Sequence, residues 1–169
     1  MEIKLDPQQT MEERVRTTME FTRHPQRDNI EDWLGLKLEQ CDEATGRYVA
    51  RARTEPWMRN AVGHVHGGIC TAFLDQAMGC VCHCQKESAQ VAPTIEMQMS
   101  FHRPVLTGEE ILVHVQVVSA TRHLIRMAGQ ITMASAPEKI CVSSTATFYC
   151  RLFYKAEARV RCKRALLMA

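Results

Sequence analysis

One segment constrains the fold more than any other. Residues 67–85, "GGICTAFLDQAMGCVCHCQ", are long enough for a helix and apolar on nearly every face. Such a helix belongs at the centre of a core, buried on all sides. Asp75 is its one ionised group at neutral pH. Burying a lone carboxylate costs several kcal/mol unless it is paired or has a task. A satisfied buried acid is one reading. A functional acid is the favoured one, because desolvation raises a carboxylate's pKa and its basicity.

The start of this helix adds a second clue. Gly67 and Gly68 present unpaired backbone N–H groups at the positive end of the helix dipole, with no side chain in the way. That position suits negative charge, and in acyl transfer it would serve as an oxyanion hole. A tight glycine turn with no further role has the same sequence. Spacing decides more. Asp75 lies seven residues beyond Gly68, about 10 Å along a helix at ~1.5 Å per residue. A base and an oxyanion hole must both come within roughly 3 Å of the reacting atoms. One helix therefore cannot supply both to one carbonyl, whereas two antiparallel copies across a two-fold axis can. The chemistry predicts a homodimer with two composite sites.

The flanking segments predict the sheet. Residues 7–24 read as a surface helix with a thin apolar stripe through Val15 and Met19. Thr10 and Glu13 have capping-box spacing at its start. Residues 33–54 read as a hairpin, with Leu34, Leu36 and Leu38 alternating before the turn "DEATG". Beyond the central helix, strands are expected over 94–104, 111–120, 123–134 and 139–153. Ile111, Val113, Val115 and Val117 share one face of the second of these. The expected fold class is α+β, one long central helix wrapped by a curved antiparallel sheet. The expected division is an N-terminal helical segment over 1–30, a domain over 31–154 and a basic tail over 155–169.

Bulk properties exclude several functions. A net charge of +2 and 6% aromatic residues argue against nucleic acid. No run of eighteen apolar residues predicts a membrane span. The opening "MEIKLDPQQTMEERV" lacks the apolar stretch of a secretory leader. With eight cysteines, that points to reduced thiols and a cytoplasmic location.

Several residues now form a pattern. Asn60, Gly63 and His66-Gly67-Gly68, with Asp75 nine residues after His66, resemble the hotdog-fold acyl-CoA thioesterases, in particular the PaaI-like group. The segment "PTIEMQMSFHRPVLTGE" resembles that family's strand ending in an aromatic, a proline and a Gly-acid turn. The likeness runs from about Trp33 to about Tyr154. It implies a hotdog fold, a dimer that can pair again into a tetramer, an acyl-CoA substrate and no cofactor. Asp75 corresponds to the catalytic carboxylate, acting as general base or as nucleophile. Gly67 and Gly68 correspond to the oxyanion hole, and His66 to the residue that steadies the turn or contacts the thioester. Asn60 corresponds to the polar group that positions water or the carbonyl, from the chain opposite Asp75. Thr94 stands where related enzymes carry a Ser or Thr, about one residue later than their spacing. The aryl, short and medium acyl groups all remain open, with Phe73, Met78 and Met97 as pocket-lining candidates. Arg103 and Arg122 are candidates for the phosphates of coenzyme A.

Three other readings compete. "HVH" and "CVCHC" are dense in metal ligands, but Cys80 and Cys84 share a helix face that Cys82 does not, which is poor geometry for one tetrahedral ion. No metal is expected. Cys70 stands four residues after His66, near a helix start that can lower a thiol pKa, so the two form a candidate nucleophile pair. The third reading is an acyl-CoA-binding hotdog module without catalysis.

Overall fold

The computed structural model describes Asp6 and residues 8–22, 28–85 and 92–149. The basic tail over 155–169 and the ends of the expected segments at 23–24 and 150–153 lie outside the described residues.

The order of elements is α1 (Met11–Thr22), α2 (Ile30–Leu34), β1 (Lys37–Asp42), β2 (Arg47–Arg53), α3 (Gly67–Cys84), β3 (Thr94–Phe101), β4 (Glu110–Ala120), β5 (Leu124–Met133) and β6 (Ala136–Tyr149). The six strands form one antiparallel sheet in the order β1-β2-β4-β5-β6-β3. The long helix α3 lies against one face of it. Ile111 and Val113 of β4, Ile125, Met127 and Ile131 of β5, and Phe148 of β6 are fully buried there with Phe73, Leu74 and Met78 of α3. Gly129 of β5 permits the close approach: a Cβ on it would stand 2.2 Å from Met78 Cε and 2.7 Å from Leu74 Cδ2. The expected α+β hotdog architecture is therefore the observed one.

Four local expectations change. The capping box at Thr10 and Glu13 forms, with the Thr10 N–H donating to Glu13 Oε2 (2.8 Å) and the Glu13 N–H to Thr10 Oγ1 (3.3 Å). Yet α1 is no surface helix. Its stripe of Met11, Val15, Thr18 and Met19 is buried, because α1 packs on both α3 and β1. The segment around Trp33 is not strand. Residues 30–34 make a short helix, capped by the Asn29 side chain and ended by Gly35 at φ +60°. Leu34, Leu36 and Leu38 are all buried despite that break, so their spacing reflects the core but not a single strand. Val117 is only partly buried, since the β4–β5 register slips between Val117 and Ser119.

The fourth change concerns α3 itself. It is not buried all round. Thr71, Ala72, Asp75, Gln76, Gly79 and His83 are half-buried and form a stripe along one side. Among the described residues the neighbouring edge strand β3 pairs only with β6, and Ile95 and Phe101 on it are each 57% exposed.

Candidate active site

The loop before α3 is built by Asn60. Its Oδ1 accepts the N–H groups of Val62 (3.0 Å) and His64 (3.1 Å), and its own N–H donates to the His64 carbonyl (2.7 Å). Asparagine closes such turns because its short amide reaches backbone two to four residues on. Gly63 completes the loop at φ +89°, where a side chain would be strained. Main-chain bonds from His66 N–H to Met58 O (2.8 Å) and Val65 N–H to Val105 O (2.9 Å) fix the loop to the protein.

His66 is the N-cap of α3, with extended backbone, and its Nδ1 accepts the Gly68 N–H at 3.0 Å. An accepting Nδ1 carries no proton, which leaves Nε2 as the N–H position of the ring. Gly68 therefore already has a partner. Among the described residues nothing accepts from the Gly67 N–H. The ring of Phe101, at the end of β3, lies over Gly67, where a Cβ would meet it at 3.3 Å.

Asp75 sits two turns further along α3, on its half-buried stripe. Thr94 Oγ1, at the first residue of β3, donates to Asp75 Oδ1 at 2.5 Å. The β3–β6 register slips between Thr94 and Glu96. A bulge absorbs one extra residue and re-aims the side chains beside it. The extra residue falls after Thr94, whose own pairing with Phe148 holds the hydroxyl at the start of β3, within reach of the carboxylate. Asp75 is half-buried, so the expectation of a fully desolvated acid does not hold for the single chain; the open side of α3 is the reason.

Asp75 and the glycine turn open into different cavities. One, of about 390 Å³, holds Asp75 and Thr94 with residues of α1 and α2. The other, of about 410 Å³, holds Asn60, His64, Gly67, Phe101, His102 and Arg103. These two cavities mark the two ends of β3: Thr94 pairs with Phe148, and Phe101 with Val142. Seven residues of strand separate them, roughly 23 Å at ~3.3 Å per residue.

The arginine candidates divide the same way. Arg103 follows Phe101 and donates from Nη1 to the Ile140 carbonyl (2.7 Å). Arg122 lies in the β4–β5 turn, beside the Leu124–Tyr149 pair and so at the Thr94 end. Met97 is half-buried, whereas Phe73 and Met78 are wholly buried members of the core.

Among the described residues no three His, Cys, Asp or Glu side chains gather as a metal site. Burial pushes the Cys70 thiol up to about 11, opposite to the fall that a nucleophile needs. Cys80, Cys82 and Cys84 are all buried. No described helix is long and apolar enough to cross a membrane.

Four participants escape a reading of sequence alone. Phe101 and His102 reach the glycine turn only because β3 ends there. Glu31 reaches the Asp75 cavity only because α2 exists. Gln76 also lines that cavity, and its position next to Asp75 was the one available signal.

Comparison with known proteins agrees with this geometry. Residues 62–136 match the thioesterase superfamily. Human acyl-coenzyme A thioesterase 13 is 25% identical over 96 residues, 57% of this chain and 67% of that one. The structure of PaaI from the phenylacetic acid degradation operon of E. coli superposes with a TM-score of 0.66 at 18% identity, covering 82% of this chain and 96% of that one. A hypothetical thioesterase from Streptococcus pneumoniae, solved with coenzyme A, gives 0.59 at 17% identity, covering 69% and 88%. The matched segment carries the capped glycine turn and Asp75 on a helix packed against a six-stranded sheet, so the chain has the hotdog fold and resembles the thioesterase superfamily over residues 62–136.

Proposed function

We propose that this protein hydrolyses an acyl-CoA thioester to a carboxylic acid and free coenzyme A, as a homodimer with two composite sites. The observation that carries this reading is the hydrogen bond between Thr94 and Asp75, set apart from the capped glycine turn at the other end of β3. A carboxylate held at one oxygen keeps the other for a water or for the thioester carbon. The Thr94 hydroxyl, having donated its proton to Asp75, retains lone pairs that can orient that water.

The dimer follows from the same layout. β3 has an unpaired edge, and the half-buried stripe of α3 runs beside it. Antiparallel pairing of β3 with a second copy brings the Thr94 end of one chain beside the Phe101 end of the other. Asp75 of one chain then faces Gly67, His66 and Asn60 of its partner. The Gly67 N–H, backed by the helix dipole, stabilises the oxyanion, and His66 Nε2–H is available as a second donor. Asn60 shapes this turn with its oxygen, which leaves its Nδ2 for the carbonyl or the water. In the dimer Arg122 of one chain approaches Arg103 of the other, and together they supply charge for the phosphates of coenzyme A. A dimer of dimers is compatible with this arrangement. Human acyl-coenzyme A thioesterase 13 and the pneumococcal structure with coenzyme A support the choice of substrate.

The mechanism is hydrolysis by Asp75 as general base or as nucleophile through an anhydride. The test is acyl-CoA hydrolysis over aryl and straight-chain substrates, followed by chromatography, for wild type beside Asp75→Asn. Turnover that falls by about a hundredfold in the variant supports a carboxylate mechanism, on the usual scale of acid–base catalysis. A folded dimer that turns over no substrate overturns it in favour of an acyl-CoA-binding module.

A further inference from the structure

The cavity beside Asp75 has a wall poorly suited to plain hydrocarbon. Thr22 of α1, Glu31 of α2, and Gln76 and His83 of α3 all line it, with Phe148 as its aromatic side. The balance of donors and acceptors among these groups is uneven. The Thr22 hydroxyl donates to the Met19 carbonyl (3.1 Å), has a side-chain hydrogen bond with Cys80, and receives a long 3.4 Å bond from Gln76 Nε2. Gln76 Oε1 is buried and has no hydrogen-bond partner. Glu31 is half-buried and makes no ion pair among the described residues. No described Lys or Arg lines the cavity.

An enclosed amide oxygen without a donor is rare in a folded protein, and each case calls for a cause. Oxygen acceptors lacking donors favour a ligand that brings one, and the carboxylates of Glu31 and Asp75 disfavour a ligand that brings negative charge. Resting on the acyl-CoA thioesterase reading above, we propose that this cavity receives the acyl group and selects acyl chains that carry a hydroxyl. Gln76 and Glu31 are the acceptors that recognise it. Chains ending in a carboxylate are rejected by the charges of Glu31 and Asp75. A site built to bond a hydroxyl discriminates strongly against the analogue lacking it, because its polar groups are then left unpaired.

The experiment compares kcat/KM for hexanoyl-CoA, 6-hydroxyhexanoyl-CoA, 8-hydroxyoctanoyl-CoA and adipoyl-CoA. At least one hydroxyacyl substrate is expected to exceed hexanoyl-CoA by about tenfold or more, with adipoyl-CoA the poorest. Gln76→Leu should bring hexanoyl and hydroxyacyl substrates to within about threefold of each other, the loss expected when one such bond is removed. Glu31→Gln, on a separate and more exposed helix, should lift adipoyl-CoA relative to hexanoyl-CoA. Equal rates for plain and hydroxylated chains in the wild type overturn the inference while leaving the thioesterase reading intact. A binding arm separates the two. Asp75→Asn is titrated by calorimetry with the same thioesters. A hydroxyacyl preference in binding, without turnover by any form, upholds the selectivity of the cavity and sinks the hydrolase. Equal binding in that case overturns both.

Discussion

Thr94 and Asp75 stand nineteen residues apart, on a strand and a helix, and their side chains meet at 2.5 Å. The bond is charge-assisted, which makes it among the stronger kinds that a hydroxyl forms. It fixes one carboxylate oxygen and directs the other.

Thr94→Val keeps the shape of the side chain and removes the donor. A hydrogen bond to a charged group contributes about 1.5–3 kcal/mol, so kcat should fall by roughly ten- to a hundredfold. Thr94→Ser restores the hydroxyl and should recover most of the rate. Steady-state kinetics on the best substrate checks both. A valine variant with unchanged kcat would confine Thr94 to a packing role.

Gly67→Pro deletes a single amide proton. Gly67 is the first helical residue, where proline is favoured, and His66 before it is already extended at ψ 139°. The helix should therefore form, with only the Phe101 ring shifting by a few tenths of an ångström from its 3.3 Å approach. Loss of one oxyanion donor typically costs about 10²–10³ in kcat. Circular dichroism should match wild type while turnover drops by that factor.

Mixing the two defects tests where the site lies. Asp75→Asn and Gly67→Pro should each retain about 1% of activity or less alone. If Asp75 of one chain works with Gly67 of the other, half the dimers after random exchange are mixed, and one of their two sites is intact. Activity of about a quarter of wild type should return, as symmetry dictates. A site within one chain would show no recovery, because every chain then carries one defect.

Buried thiols predict alkaline behaviour. Burial pushes Cys70 and Cys84 up to about 11 and Cys80 up to about 12, from an ordinary 9.0. The fold holds these protons more tightly than the unfolded chain does. Stability is complete below about pH 9 and declines as pH rises from there towards 11–12, since the unfolded state ionises first. Urea unfolding midpoints between pH 7 and 10.5 should fall only above pH 9. Iodoacetamide at pH 8 should leave these three thiols unmodified until the protein is denatured.

Much of this protein was legible in its sequence. The predominantly apolar run of residues 67–85 is enough to name a central helix, because a surface helix would carry a broad polar face. Alternation at Ile111, Val113 and Val115 is enough for a strand, because a period of two puts every second side chain on one face. His66, Gly67 and Asp75 stand out because glycines at a helix start and a lone acid within it are costly without a use. Tertiary structure decided the rest. α1 is buried through Val15 and Met19 because α3 and β1 offer it a surface, which local periodicity cannot reveal. Leu34 and Leu36 share a core across a helix end and a left-handed glycine, so their alternation imitates a strand. Thr94 meets Asp75 because its pairing with Phe148 sets the first residue of β3 against α3, a feature of tertiary pairing and not of either segment. Asp75 itself is half-open because the sheet closes around only part of α3, and how much of a helix a sheet can cover depends on curvature and neighbours that no single stretch of residues encodes.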